Sequence, residues 1–178
     1  MMAMINRIPG IDYQFSDPGL LQEALTHRSH GSRNNERLEF LGDSVLNFVV
    51  ASRLYELRPK NSEGDLSRLR SRVVRGDTLA ELATGLKLGD HLFLGEGELK
   101  SGGYLRKSIL ADALEALIGA IYLDGGFKAC ETMVRTICDP VIMNLPDAEE
   151  LKDPKTRLQE WMQARARPLP EYELIGEE

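Results

Sequence analysis

An all-α fold is predicted by three features of the sequence. Helix-start and helix-stop residues recur through residues 1–145. Two segments, around Leu38–Leu54 and Ile109–Leu123, are apolar nearly all round, as in buried helices. The period-two alternation that marks strands is almost absent.

Ser16-Asp17-Pro18 opens the first helix: a capping residue precedes a proline whose missing N–H costs nothing at the first helical position. Leu20, Leu21, Ala24 and Leu25 follow at helical spacing. A second helix is expected from about Asn35 to Leu57, broken by Arg58-Pro59-Lys60-Asn61. A third spans Glu63 to about Arg75, and a fourth Asp77 to Leu86, stopping near Gly89. Leu92 to Glu98 reads as a loop with a short extended piece, and Ser101-Gly102-Gly103 as a turn. A strongly apolar helix from about Lys107 to Leu123 ends at Asp124-Gly125-Gly126, which suits a C-cap. The last helix of this block runs from about Phe127 to Met143.

Residues 1–145 therefore read as one helical domain. Residues 146–153, with Pro146 and several acids, read as a linker. From 154 to 178 an amphipathic helix capped by Asp153-Pro154 carries Leu158, Trp161 and Met162 on one face. Trp161 is expected as a core anchor. Pro168-Leu169-Pro170 ends that helix, and Tyr172-Glu173-Leu174-Ile175 could begin a strand. About 25 residues cannot bury a core of their own, so this tail reads as the incomplete start of a second domain.

The 178 residues are 42% apolar and 28% charged, close to the globular average, which excludes a wholly disordered or collagenous chain. No apolar run approaches the roughly 18 residues of a membrane span, so no membrane partner is expected. Met1-Met2-Ala3-Met4 shows no secretory signal. Cys130 and Cys138, if on one helix, are separated by a rise of about 12 Å, too far for a disulfide. They read as reduced buried thiols of a cytoplasmic protein. The net charge of −6 disfavours nucleic-acid binding on its own. It is uneven: residues 1–145 hold 17 basic and 19 acidic residues, whereas 146–178 hold 5 and 9. The run Arg68, Arg70, Arg72 and Arg75 reads as a solvated helix face.

The most apolar helices carry acids where none belong. Glu36, Glu39 and Asp43 fall on one stripe of the second helix, and Asp112 and Glu115 are one turn apart in the Lys107–Leu123 helix. An uncompensated buried carboxylate is very costly. Arginine partners (Arg37, Arg68, Arg70 or Arg72), protonation or a metal would each relieve that cost. Two helices that each present a carboxylate pair favour an oxygen-lined cage for a hard ion, Mg²⁺ or Mn²⁺. No histidine lies in either cluster, which argues against a di-iron site. Such a cage suits phosphoester hydrolysis. His27 and His30 read as capping or packing residues.

Glu36-Arg37-Leu38-Glu39-Phe40-Leu41-Gly42-Asp43-Ser44 resembles the signature of bacterial ribonuclease III, and the resemblance extends over essentially the whole chain. Leu25-Thr26-His27-Arg28-Ser29, Gly97-Glu98-Leu99-Lys100-Ser101-Gly102-Gly103 and Ser108-Ile109-Leu110-Ala111-Asp112 are also similar to that family. Asp153 to Glu160 resembles the start of its α/β double-stranded-RNA-binding domain. The resemblance implies the family's helical endonuclease fold and a Mg²⁺-dependent endonuclease, with Mn²⁺ as a substitute. It implies cleavage of both strands of double-stranded RNA to 5′-phosphates with short 3′ overhangs, and processing of rRNA precursors and some mRNAs. It also implies a symmetric homodimer.

By position, Glu39, Asp43, Asp112 and Glu115 match metal-binding carboxylates, with Asp43 and Glu115 as the catalytic pair. Glu36 and Glu63 match accessory acids, and Phe40 matches an aromatic that plugs a socket on the partner subunit. Lys100 and Gln159 are candidate RNA contacts. The alternative functions are a non-cleaving double-stranded-RNA scaffold on the same fold, and a structural protein whose acids pair with arginines. The intact acid set favours the nuclease.

Overall fold

Asp17 caps the first helix as its place before Pro18 demands: its carboxylate accepts from the Gly19 amide at 2.8 Å. The computed structural model describes residues 5–148, 150–152 and 154–173. Seven α-helices are found among them: α1 Pro18–Ala24, α2 Glu36–Leu57, α3 Glu63–Val73, α4 Gly76–Gly85, α5 Glu96–Lys100, α6 Lys107–Met143 and α7 Pro154–Gln163. Single 3-10 turns occupy Leu88–His91 and Gly103–Leu105. The described residues contain no strand. One isolated parallel bridge joins Thr26 to Phe93, and there the His27 amide donates to the Phe93 carbonyl at 3.0 Å. This is the expected extended piece before α5.

Two boundaries differ from the sequence expectation, at α5 and at the end of α3. Glu96–Lys100 is helical rather than loop. Glu96 and Glu98 in its first turn and Lys100 in its last suit the helix dipole, but five residues are too few to show a period. The two helices expected on either side of Gly125 are both present within α6, the first ended where Gly126 takes the left-handed φ 77°, ψ −179°. Asp124 does not cap it. Its carboxylate instead takes the Tyr13 hydroxyl at 2.7 Å and the amides of Ser16 and Asp17 at 2.8 and 2.9 Å, pinning the segment before α1. The third helix stops at Val73 rather than Arg75, and α4 then begins at Gly76. A capping box starts α3: Ser62 Oγ accepts from the Asp65 amide, and the Asp65 carboxylate accepts from the Ser62 amide.

The core is built on α2 against α6, the most extensive contact in the chain. Leu38, Leu46, Val50 and Leu54 of α2 and Leu110, Leu114, Leu117 and Ile121 of α6 are all buried. Each such side chain contributes on the order of 1.5–3 kcal/mol on burial. The helices cross where glycines meet. A Cβ on Gly42 would sit inside the Glu115 carbonyl, and one on Gly119 inside the Leu38 carbonyl. Cys130 and Cys138 are buried free thiols, as expected, and burial pushes both up to about 12.

The chain divides after Leu145, and residues from Pro146 form a second unit. Its helix α7 buries no residue, and Trp161 is 46% exposed rather than a core anchor. A single helix offers no second layer to cover it. The ring is instead flanked by Arg165 and Arg167, whose guanidinium carbons lie 4.2 and 5.4 Å from its centroid. Tyr172 and Glu173 are not in a strand. Leu174 and Ile175, the Asp153 cap and Met1–Met4 lie outside the described residues. No helix among the described residues is long and apolar enough to cross a membrane.

Candidate metal centre

The glycine crossing aims the misplaced acids at one another. Because α2 and α6 touch backbone to backbone at Gly42 and Gly119, Glu39 on α2 comes within reach of Asp112 and Glu115 on α6. Carboxylate oxygens of these three half-buried residues all lie within 4.8 Å of one another. Among the described residues, none of the three forms an ion pair with a basic side chain. The arginine alternative therefore does not operate here. Arg68 is taken by Asp65 at 2.6 Å, and Arg28, whose charge reaches Glu39 and Asp112, pairs with Glu36 at 3.4 Å.

Asp43, the fourth expected ligand, is outside this trio. It is exposed, and its carboxylate accepts from Asn47 Nδ2 at 2.8 Å. Its charge still reaches the cluster. Burial first, then the charges of Asp43, Glu39 and Asp112, push Glu115 up to about 7. Burial, then the charges of Asp112 and Glu36, also raises Glu39. Burial raises Asp112, against the opposing charges of His27 and Arg28. Crowded carboxylates without cationic partners favour either protons or a cation. A bound cation must displace the proton held by Glu115. Mn²⁺ affinity, measured by calorimetry, should therefore fall about tenfold for each pH unit below about 7. An affinity flat from about pH 5 to 8 would show that Glu115 takes no part.

The cluster opens into a cleft of 470 Å³. Asp112, Glu39 and Glu36 line it with His27, Arg28, Ser29, Asn35, Glu98, Arg106, Ser108 and Ile109. Arg106 is held by Glu98 at 3.0 Å. His27, expected only to cap or pack, hydrogen-bonds through Nδ1 with Ser29 Oγ at 2.8 Å and also faces the cleft. His30 packs as expected, its Nδ1 lying 3.2 Å from the Leu94 carbonyl. Arg28, Asn35 and Arg106 join the cleft without a sequence signal of their own as site residues, although Arg28 and Ser108 lie inside family-like motifs.

Other expected site residues stand apart from the cleft. Glu63 begins α3 and accepts from Ser67 Oγ at 2.8 Å. Lys100 is exposed beside Glu96. Phe40 projects from α2 with 78% of its surface exposed, which is unusual for a large apolar side chain beside a core helix. Gln159 lies on α7 in the second unit.

Comparison with known proteins agrees with this geometry. A profile described as Ribonuclease-III-like matches residues 17–141. Ribonuclease 3 of Thiobacillus denitrificans is 60% identical over 168 residues, which span 94% of this chain and 74% of that protein. Ribonuclease 3 of Hahella chejuensis is 54% identical over 177 residues, 99% of this chain and 78% of that one. Among solved structures, the nuclease domain of ribonuclease III from Campylobacter jejuni matches with a TM-score of 0.71 at 46% identity, covering 72% of this chain and 90% of that chain. That structure is described as showing flexibility in a region involved in dimer formation.

Proposed function

This chain belongs to the ribonuclease III family, divalent-metal-dependent endoribonucleases acting on double-stranded RNA, and on that premise we propose that Glu39, Asp43, Asp112 and Glu115 form its metal-binding catalytic site. The observation that carries the assignment is the trio of unpaired carboxylates brought together by α2 and α6. Asp43 joins them through its influence on Glu115 and its matching position in the signature. An all-oxygen donor set selects a hard ion, so Mg²⁺ is the expected occupant, with Mn²⁺ as a substitute. When bound, such ions supply the acidity that activates water and the charge that stabilises a leaving oxygen.

The chain's own residues do the rest. Burial and mutual repulsion keep Glu39, Asp112 and Glu115 in want of a cation. Asp43, exposed on α2 one turn beyond Glu39, orients water at the site. Glu36 at the cleft and Glu63 on α3 serve as accessory acids. Cleavage of both strands is expected to leave 5′-phosphates and short 3′ overhangs on cytoplasmic targets, including rRNA precursors and some mRNAs.

Two copies pair in this reading, and the exposed Phe40 ring enters a socket on the other copy. Residues 1–145 are the endonuclease domain, 146–153 the linker, and 154–178 the opening of a double-stranded-RNA-binding domain. Gln159 faces the RNA minor groove from that domain, and Lys100 contacts phosphate.

The test is incubation of a long, perfectly paired RNA duplex with this chain at low salt, with Mg²⁺ or with EDTA. Cutting in Mg²⁺ alone, with phosphate on the new 5′ ends, is the expected result. Cutting that survives EDTA would overturn the metal assignment.

A further inference from the structure

We propose that His27 is an RNA-binding residue of this site, its Nε2–H donating to a phosphate oxygen of the strand held beside Asp112. The inference rests on the metal-site reading of the carboxylate cluster. His27 is half-buried in the wall of the cleft that Asp112 and Glu39 also line. Its imidazole lies close enough to Asp112 for a charge on the ring to act on that carboxylate. No hydrogen bond joins the two; the ring bonds only to Ser29 among the described residues.

Those bonds fix both the orientation of the ring and its tautomer. The Ser29 backbone amide donates to Nδ1 at 3.2 Å, and Ser29 Oγ lies 2.8 Å from the same nitrogen. An amide N–H can only donate, so Nδ1 is the acceptor and the neutral ring carries its proton on Nε2. Ser29 Oγ in turn accepts from the Gly95 amide at 2.9 Å, which leaves its own proton for Nδ1. The loop before α5 comes this near only because residue 95 is glycine: a Cβ there would sit 2.3 Å from the Ser29 carbonyl oxygen. One edge of the imidazole is therefore tethered. The other edge presents Nε2, which has no partner among the described residues and is not sealed from water.

A tethered donor that faces water in a cleft is organised for a group from outside the chain. Its surroundings indicate which. The two cleft arginines are each matched to an acid, Arg28 to Glu36 and Arg106 to Glu98. A neutral N–H beside the carboxylates attracts an acceptor without repelling a divalent cation. In phosphoester hydrolysis the group that accompanies such a cation is a phosphate, whose non-bridging oxygens can only accept. Phosphate and sugar also take most hydrogen bonds in nucleic-acid complexes. An Asp112 engaged by a cation no longer competes for the Nε2 proton.

The test uses the 178-residue chain and its His27→Phe and His27→Gln variants. Phenylalanine keeps a flat ring and removes the donor, whereas the glutamine amide can place an N–H near the Nε2 position. Duplex RNA binding is measured with Ca²⁺ replacing Mg²⁺, checking that the RNA stays uncut, and Mn²⁺ binding is titrated without RNA. His27→Phe should bind the duplex at least about tenfold more weakly, the loss of one hydrogen bond to a charged acceptor, with Mn²⁺ affinity unchanged. His27→Gln should recover to within about threefold of the native chain. The same native-to-Phe ratio is expected on a duplex with 2′-fluoro sugars, which keeps every phosphate and removes the 2′-hydroxyls. Unchanged duplex affinity in folded His27→Phe, a glutamine variant no better than phenylalanine, Mn²⁺ affinity lost together with RNA affinity, or a ratio that vanishes on the 2′-fluoro duplex would overturn the proposal.

Should the variants melt early, the native chain decides. In nitrogen-15 NMR of the His27 ring, Nε2 should move on adding the duplex in Ca²⁺, and not with Ca²⁺ alone, while Nδ1 stays an acceptor. A neutral ring protonated on Nδ1, or an Nε2 signal indifferent to the duplex, overturns it. Failure of Mn²⁺ to bind the native chain would instead refute the carboxylate reading, a separate result.

Discussion

Replacing Glu115 with glutamine is expected to abolish RNA cleavage while leaving a fold at least as stable as the native one. The amide keeps the shape of the carboxyl group but removes the charge that a divalent ion requires. Loss of one direct ligand should cost at least about 4 kcal/mol of transition-state stabilisation, on the order of a thousandfold in rate. Stability moves the other way. The fold raises Glu115 from 4.5 to about 7, so it favours the neutral acid and penalises the anion. In metal-free protein, this group therefore contributes instability that is fully present above about pH 7 and disappears as the pH falls to about 4.5.

Glu115→Gln should melt higher than the native chain at pH 8 in EDTA, by at most about 3 kcal/mol. That gap should close on acidification through the same window. Full turnover by the variant, measured on a duplex in Mg²⁺, would remove Glu115 from the site. A variant that melts lower at every pH would show that Glu115 serves the fold instead. Acidic sites commonly trade stability for function in this way.

Gly42→Ala is expected to damage both the fold and the site. In most helix interiors alanine is favoured over glycine by about 1 kcal/mol. At Gly42 the added methyl would overlap the Glu115 backbone carbonyl and crowd the Gly119 amide, neither of which is a flexible side-chain end. The helices must part, at a cost of at least about 3 kcal/mol. Thermal melting should register this as a fall of roughly 6–12 °C. Parting α2 from α6 also draws Glu39 away from Asp112 and Glu115, so Mn²⁺ affinity should fall with stability. Gly64→Ala is the control. Its methyl would meet nothing nearer than Arg68 at 3.5 Å, so the change should be neutral or stabilising. Equal melting temperatures for the native and Gly42→Ala chains would mean that the crossing tolerates a methyl group and does not set the cluster's geometry.

Much of the site is legible in the amino-acid sequence. Acids inside the two most apolar helices are a conflict between local pattern and burial, and such conflicts mark function. Their spacing puts each pair on one helix face, and the signature around Glu36–Ser44 ties them to a family. Arg28, Asn35 and Arg106 are not legible as site residues. Arginine and asparagine near helix ends have ordinary uses as ion-pair partners and caps. Only the packed chain shows Asn34 performing the cap and Asn35 left over. Trp161 departs from its expected core role because an amphipathic helix predicts a covering layer, and this unit presents none within the described residues.

Residue type and spacing are enough to specify the helical class, the two apolar helices, the identity of the five acids and the chemistry that a hard-ion site supports. All of these depend on geometry within a single helix, which local backbone rules fix. Which acids meet is a matter of packing. Glu39, Asp112 and Glu115 converge, and Asp43 stands aside with Asn47. Packing likewise sets Arg28 against Glu36 and buries Asn35 in the wall of the cleft. The physical reason is the crossing of α2 and α6 at two glycines distant in sequence. Which carboxylates share a few ångströms depends on the angle and depth of that contact, and no spacing along one helix encodes either.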